Sequence, residues 1–171
     1  MKRLLIIFSV VLSALFCITQ VNAQTTKPTK KELKAQEVKN LVESKNFVFK
    51  ATFMYPMGGG QRYLDRIYDL TIAPDTVTSF LPFFGVAYMN TGYTPNDDGG
   101  IKFTSTKFDY KVDNLKKGGY RIFIKPNDIT NRTQMYLEVY PTGYANLSVV
   151  SVNKQSIRYD GIVAERPKPK S

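Results

Sequence analysis

Histidine is absent from this sequence, and cysteine occurs once, at position 17. Each absence excludes chemistry. Without histidine there is no Ser-His-Asp or Cys-His catalytic set and no conventional His-rich metal site. Cys17 lies within an apolar N-terminal run that reads as an export signal, so the mature chain is expected to carry no thiol. That removes a disulfide framework, a thiolate zinc site and an Fe–S cluster. Carboxylates, lysine, tyrosine and Ser/Thr hydroxyls are the side chains left for chemistry. No metal and no cofactor is expected, and the folded part must be held by its apolar core.

Residues 1–23, "MKRLLIIFSVVLSALFCITQVNA", combine Lys2 and Arg3, an apolar run from Leu4 to Ile18, and the small-residue end Val21-Asn22-Ala23. This is the pattern of a secretory signal peptide, and the run is short for a membrane span. A lipoprotein anchor wants a small residue before its cysteine, where bulky Phe16 stands. The net charge of +10 is gathered at the ends. Lys27, Lys30, Lys31, Lys34, Lys39, Lys45 and Lys50 face only Glu32, Glu37 and Glu43, and the tail adds Arg166, Lys168 and Lys170. The body between is close to neutral. Nucleic-acid binders concentrate basic charge on one folded face, so no nucleic acid is expected. Basic ends suit peripheral contact with lipid headgroups. The expected organisation is a signal peptide (1–23), a flexible basic lead (24–29), one β-domain with an N-terminal helix (30–165) and a basic tail (166–171).

Thr29 followed by Glu32 fits a capping box, and Leu33, Val38, Leu41 and Val42 recur at helical spacing to about Ser44. This predicts an amphipathic helix of about four turns. From Asn46 the period becomes two. Phe47, Phe49, Ala51, Phe53 and Tyr55 alternate with Val48, Lys50, Thr52 and Met54, and Tyr68, Leu70 and Ile72 alternate with Asp69 and Thr71. Further runs cover 77–81, 101–104, 106–112, 120–125, 134–140, 145–152 and 157–163. No long helix separates any two of them, which disfavours a parallel sheet. The expected fold is mainly β: an antiparallel barrel or sandwich of about eight strands, a lipocalin-like barrel before a sandwich, with one N-terminal amphipathic helix.

"TSFLPFFGVAY", Thr78 to Tyr88, is an aromatic-rich stretch broken by a proline and a glycine. Pro82 cannot donate to a ladder, so the strand ends, bulges or runs at an edge there. Gly85 permits a sharp bend. Phe80, Phe83, Phe84 and Tyr88 are therefore expected around a corner. They would either plug the barrel or line the mouth of a cavity, and they are the candidate ligand-binding residues.

The longer stretch "YDLTIAPDTVTSFLPFFGVAY", Tyr68 to Tyr88, resembles the signature of a domain-of-unknown-function family of small exported proteins from Bacteroides-type bacteria. Phe47, Phe49 and Ala51, Gly119-Tyr120-Arg121-Ile122, and Gln155-Ser156-Ile157 with Tyr159 and Gly161 agree with it. The resemblance implies an envelope location in a Gram-negative cell and brings no activity. It also makes Asp75-Thr76-Val77 resemble a short bacterial O-glycosylation signal, with Thr76 as acceptor; a Pro-Asp-Thr turn between strands explains the same residues.

Other motifs point less sharply. "MGGGQRY", 57–63, reads as a hairpin loop before it reads as an anion nest. Asn96, Asp97 and Asp98 lack the spacing of a calcium loop. Asp69, Asp109, Glu138 and Asp160 fall in strands, where two could converge as a glycosidase-like pair. Three classes of function follow. The first is a non-catalytic envelope protein binding an apolar or amphipathic small ligand, a lipid or a glycan, in a barrel cavity or at the aromatic corner. The second is an interaction protein contacting an envelope protein or headgroups, and the third a histidine-free hydrolase. The first is the expectation, without catalysis.

Overall fold

The computed structural model describes residues 28–88, 99–116 and 118–167. The expected signal peptide, the lead before residue 28, Asn96–Asp98 and the tail from residue 168 lie outside them. Helix α1 (Lys30–Ser44) is followed by β1 (Phe47–Pro56), β2 (Arg62–Ile72), β3 (Val77–Leu81), β4 (Ile101–Ser105), β5 (Phe108–Asn114), β6 (Tyr120–Pro126), β7 (Gln134–Val139), β8 (Tyr144–Val150) and β9 (Ile157–Glu165). Among the described residues no helix is long and apolar enough to cross a membrane.

The nine strands form one antiparallel sheet in the order β4-β3-β2-β1-β9-β8-β7-β6-β5, curled into a nearly closed barrel. Every hydrogen-bonded neighbour is antiparallel. Following those directions around the sheet makes β4 and β5 run the same way, and only Thr106 and Lys107 separate them. They are two halves of one bent strand: the first half pairs with β3, the second with β6. The barrel thus has eight staves, in agreement with the sequence pattern. Such a change of partner is how stagger between strands closes a barrel.

Asp128 locks the bend. Its carboxylate accepts hydrogen bonds from the Ser105 hydroxyl, from the Thr106 N–H at 2.9 Å and from the Lys107 N–H at 3.2 Å. These donors, the Ser105 hydroxyl first, hold its carboxyl at about 2, below the ordinary value.

Alternation on β1 is broken where the sequence expected it to continue. Phe47, Phe49 and Ala51 point into the barrel, but a register shift between Ala51 and Phe53 makes Thr52 an extra residue. Met54 then turns inward, while Phe53 and Tyr55 are only partly covered. A bulge reverses the phase of everything after it. Gly161 makes room for it: a Cβ there would lie 2.0 Å from the Lys50 carbonyl oxygen. The interior-facing side chains, with Phe47, Phe49, Leu70, Leu81, Ile122, Met135 and Tyr159 among the largest, form one contiguous core.

Helix α1 lies across one end of this barrel. The capping box forms as expected, with Thr29 N–H donating to Glu32 and Glu32 N–H to Thr29 Oγ1. Val38, Leu41 and Val42 are buried, but Leu33 is exposed, so the apolar stripe is shorter than the spacing suggested. The helix end also carries the β2–β3, β5–β6 and β7–β8 turns. The opposite, loop end carries the β1–β2 turn and the β3–β4, β6–β7 and β8–β9 connections.

Candidate functional site

The aromatic stretch falls at the loop end. Within β3, Val77, Ser79 and Leu81 point inward and Phe80 outward. Phe80 stacks on Tyr68 with ring centroids 5.7 Å apart, and Lys102 Nζ lies 4.7 Å from the Phe80 centroid. The strand then stops at Pro82, as the missing N–H requires. The Pro82 carbonyl accepts a 2.5 Å hydrogen bond from the hydroxyl of Tyr159, whose ring is buried in the core. Burial pushes the Tyr159 pKa far up, so this hydroxyl stays a donor.

Beyond the proline the chain becomes a strap across the loop end. Phe83 turns inward, packs against the core and has Lys154 Nζ 5.0 Å from its centroid. Phe84 turns outward, 47% exposed, beneath the Arg62 guanidinium at 4.7 Å. Gly85 lets the strap pass: a Cβ there would approach the Phe83 ring to 3.0 Å and Gln155 Oε1 to 3.1 Å. Gln155 then clasps it, its Oε1 accepting from Val86 N–H at 3.1 Å while its own N–H donates to Val86 O. Tyr88 N–H donates to Asn153 O at 2.9 Å, Ala87 bridges to Lys154, and the Tyr88 side chain is exposed. Lys154 Nζ also donates to the carbonyls of Gly99 and Gly100.

The four candidate residues therefore do not form one wall. Phe84 and Tyr88 are presented to solvent at the loop end, Phe83 is the core plug, and Phe80 belongs to the barrel's outer face. A cation sits over each of Phe80, Phe83 and Phe84, and Arg158 sits 4.2 Å over Tyr55 nearby. Lys154 and Arg158 carried no local signal, Arg62 was visible only within the glycine-rich loop and Tyr159 only within the resemblance, because the tertiary fold alone brings them to this corner. Gln155 was visible as part of the resemblance, and its clasp on Val86 joins two segments of that signature.

Thr76 sits in the β2–β3 turn at the helix end, far from the strap along β3. Its hydroxyl donates to Asp75 Oδ1 at 3.0 Å, and Ala73 N–H donates to its carbonyl. Asp69, Asp109, Glu138 and Asp160 lie on β2, β5, β7 and β9, no two of which are adjacent in the sheet. Glu138 is paired with Arg121 at 2.7 Å and Asp160 with Arg158 at 3.5 Å. Burial raises the Asp69 pKa, which the opposing Lys50 partly offsets. The glycine run Gly58–Gly60 is the tip of the β1–β2 hairpin, with Gly59 N–H donating to Pro56 O. Among the described residues no cluster of metal-ligating side chains occurs.

These features define a class: a small antiparallel β-barrel capped by one helix, with an aromatic strap over its other end. The chain belongs to the family described as domain of unknown function (DUF4251), whose model matches residues 29–163. It is also similar in fold to the crystal structure of a DUF4251 family protein from Bacteroides eggerthii, with a TM-score of 0.59 and 16% identity over 78% of this chain and 88% of that one. No curated protein matches.

Proposed function

We propose that this protein is an exported, non-catalytic component of a Gram-negative envelope that binds an amphipathic ligand, a lipid or a glycan, at the strap. The observation that carries the reading is Phe84, held half-exposed beneath Arg62 on a backbone clamped by Tyr159 and Gln155. Apolar rings in water on a fixed backbone mark a binding surface, and a cation beside them suits a ligand with both apolar and polar parts. The core cluster fills the inward-facing positions, so the reading puts the ligand on the rim and not inside the barrel. Export rests on the signal-like residues 1–23, and the envelope location on the family resemblance.

Native mass spectrometry of the protein purified from the periplasm of a Bacteroides-type host tests this. A retained adduct of lipid or glycan mass that Phe84→Ser loses is the expected result. A clean apo mass would remove the ligand and point to a protein partner. A sugar on Thr76 would show separately, as a covalent mass that survives activation and disappears in Thr76→Ala.

A further inference from the structure

Among the described residues β4 and β5 are the two ends of the sheet, so each keeps one edge that pairs with no strand. Of these two, β5 pairs with β6 and with no other strand among the described residues. Two hydrogen bonds set the phase of that ladder: Asn127 N–H donates to Lys107 O at 2.7 Å, and Leu115 N–H donates to Gly119 O at 3.0 Å. In an antiparallel ladder the residues between such pairs point their N–H and C=O the other way. The backbone groups of Phe108, Tyr110, Val112 and Asn114 therefore face away from β6. At Phe108 to Lys111 this edge borders an open groove of about 400 Å³, walled opposite by Lys45, Pro74 and Asp75. A row of unpaired backbone groups is a template for another strand.

The side chains say which strand. Asp109, Lys111 and Asp113 alternate along the exposed face of β5, and none has an ion-pair partner among the described residues. We infer that the free edge of β5 is a dimer seam, at which two copies of this chain pair β5 against β5 antiparallel about a twofold axis. The axis can pass through a residue whose backbone faces outward or through one between them, but at Lys111 it would set Lys111 against Lys111 and Asp109 against Asp113, so charge selects the outward-facing positions. With the axis at Tyr110, Asp109 stands opposite Lys111 of the second copy, and Lys111 opposite Asp109, in the closer kind of cross-strand pair. With the axis at Val112, Lys111 meets Asp113 in the same way. The acid–base–acid alternation is thus self-complementary in either register, as a twofold interface requires.

Sedimentation velocity and native mass spectrometry on the protein purified from the periplasm test the seam, with thermal melts to verify folding. The wild-type protein should be a dimer at micromolar concentration. Val112→Pro removes an outward N–H that makes no bond to β6, and should give a folded monomer. Lys111→Asp sets like charges opposite each other and should raise the dissociation constant roughly tenfold or more. The triple reversal Asp109→Lys, Lys111→Asp, Asp113→Lys is again self-complementary and should restore the dimer. A monomeric wild-type protein overturns the inference, and so does a dimer that Val112→Pro and Lys111→Asp both leave intact. Phe84→Ser should not change the mass, so the seam and the strap succeed or fail separately.

Discussion

At the scale of single residues, two neighbouring phenylalanines have opposite jobs. Phe83 packs on the core and Phe84 faces water. Phe83→Ser should cost about 2–3 kcal/mol of stability, less than a fully buried Phe because the ring is only partly covered. Phe84→Ser should leave the melting temperature almost unchanged and affect ligand retention alone. Chemical denaturation of the two variants separates them, and equal destabilisation would mean that Phe84 is also structural. Gly161→Ala tests the bulge. A methyl group 2.0 Å from the Lys50 carbonyl oxygen must push β9 away from β1, at a cost of roughly 2–3 kcal/mol. A neutral result would mean that the bulge adapts. "FF" in a sequence announces aromatic burial, but not which ring is buried. The turn at Pro82 and the clasp from Gln155 decide that.

At the scale of elements, the bent strand β4–β5 depends on Asp128. Its carboxyl titrates at about 2 in the folded protein, against about 4 for an unfolded aspartate. A depressed folded value contributes stability that is complete above the unfolded pKa and is lost as pH falls through the folded one. Asp128→Asn should therefore lower the melting temperature at pH 7, and the gap to wild type should narrow between about pH 5 and pH 2. A gap that stays constant across that range would mean that the charge does not hold the bend. The strands themselves were legible, because period-2 alternation follows from each having one face on the core. The bend was legible only as two adjacent runs, 101–104 and 106–112. Nothing local in Thr106-Lys107 says that the chain changes partner there, and Asp128 reaches it from beyond β6. Helix α1 was legible from Thr29 and Glu32, since a capping box is made within four residues.

At the scale of the molecule, the barrel separates its surfaces. Helix α1 and the Thr76 turn occupy one end, the strap and its cations the other, and the free edge of β5 runs along the side. Events at one surface should then leave the others undisturbed. Thr76→Ala should keep both the ligand adduct and the oligomeric state; loss of either, seen by native mass spectrometry, would show that the two ends are coupled. The sequence by itself determined the class of fold, the helix, the strands and their turns. It also excluded histidine chemistry, because the chain carries no histidine. Those properties reside in local periodicity, capping and composition, which act over a few residues. Only the tertiary structure decided the phase reversal at Thr52, the pairing of Arg62 with Phe84, the anchoring of Pro82 by Tyr159 and the unpaired edge of β5. Each depends on which distant strand lies alongside, and barrel closure sets that through the packing of all the staves together.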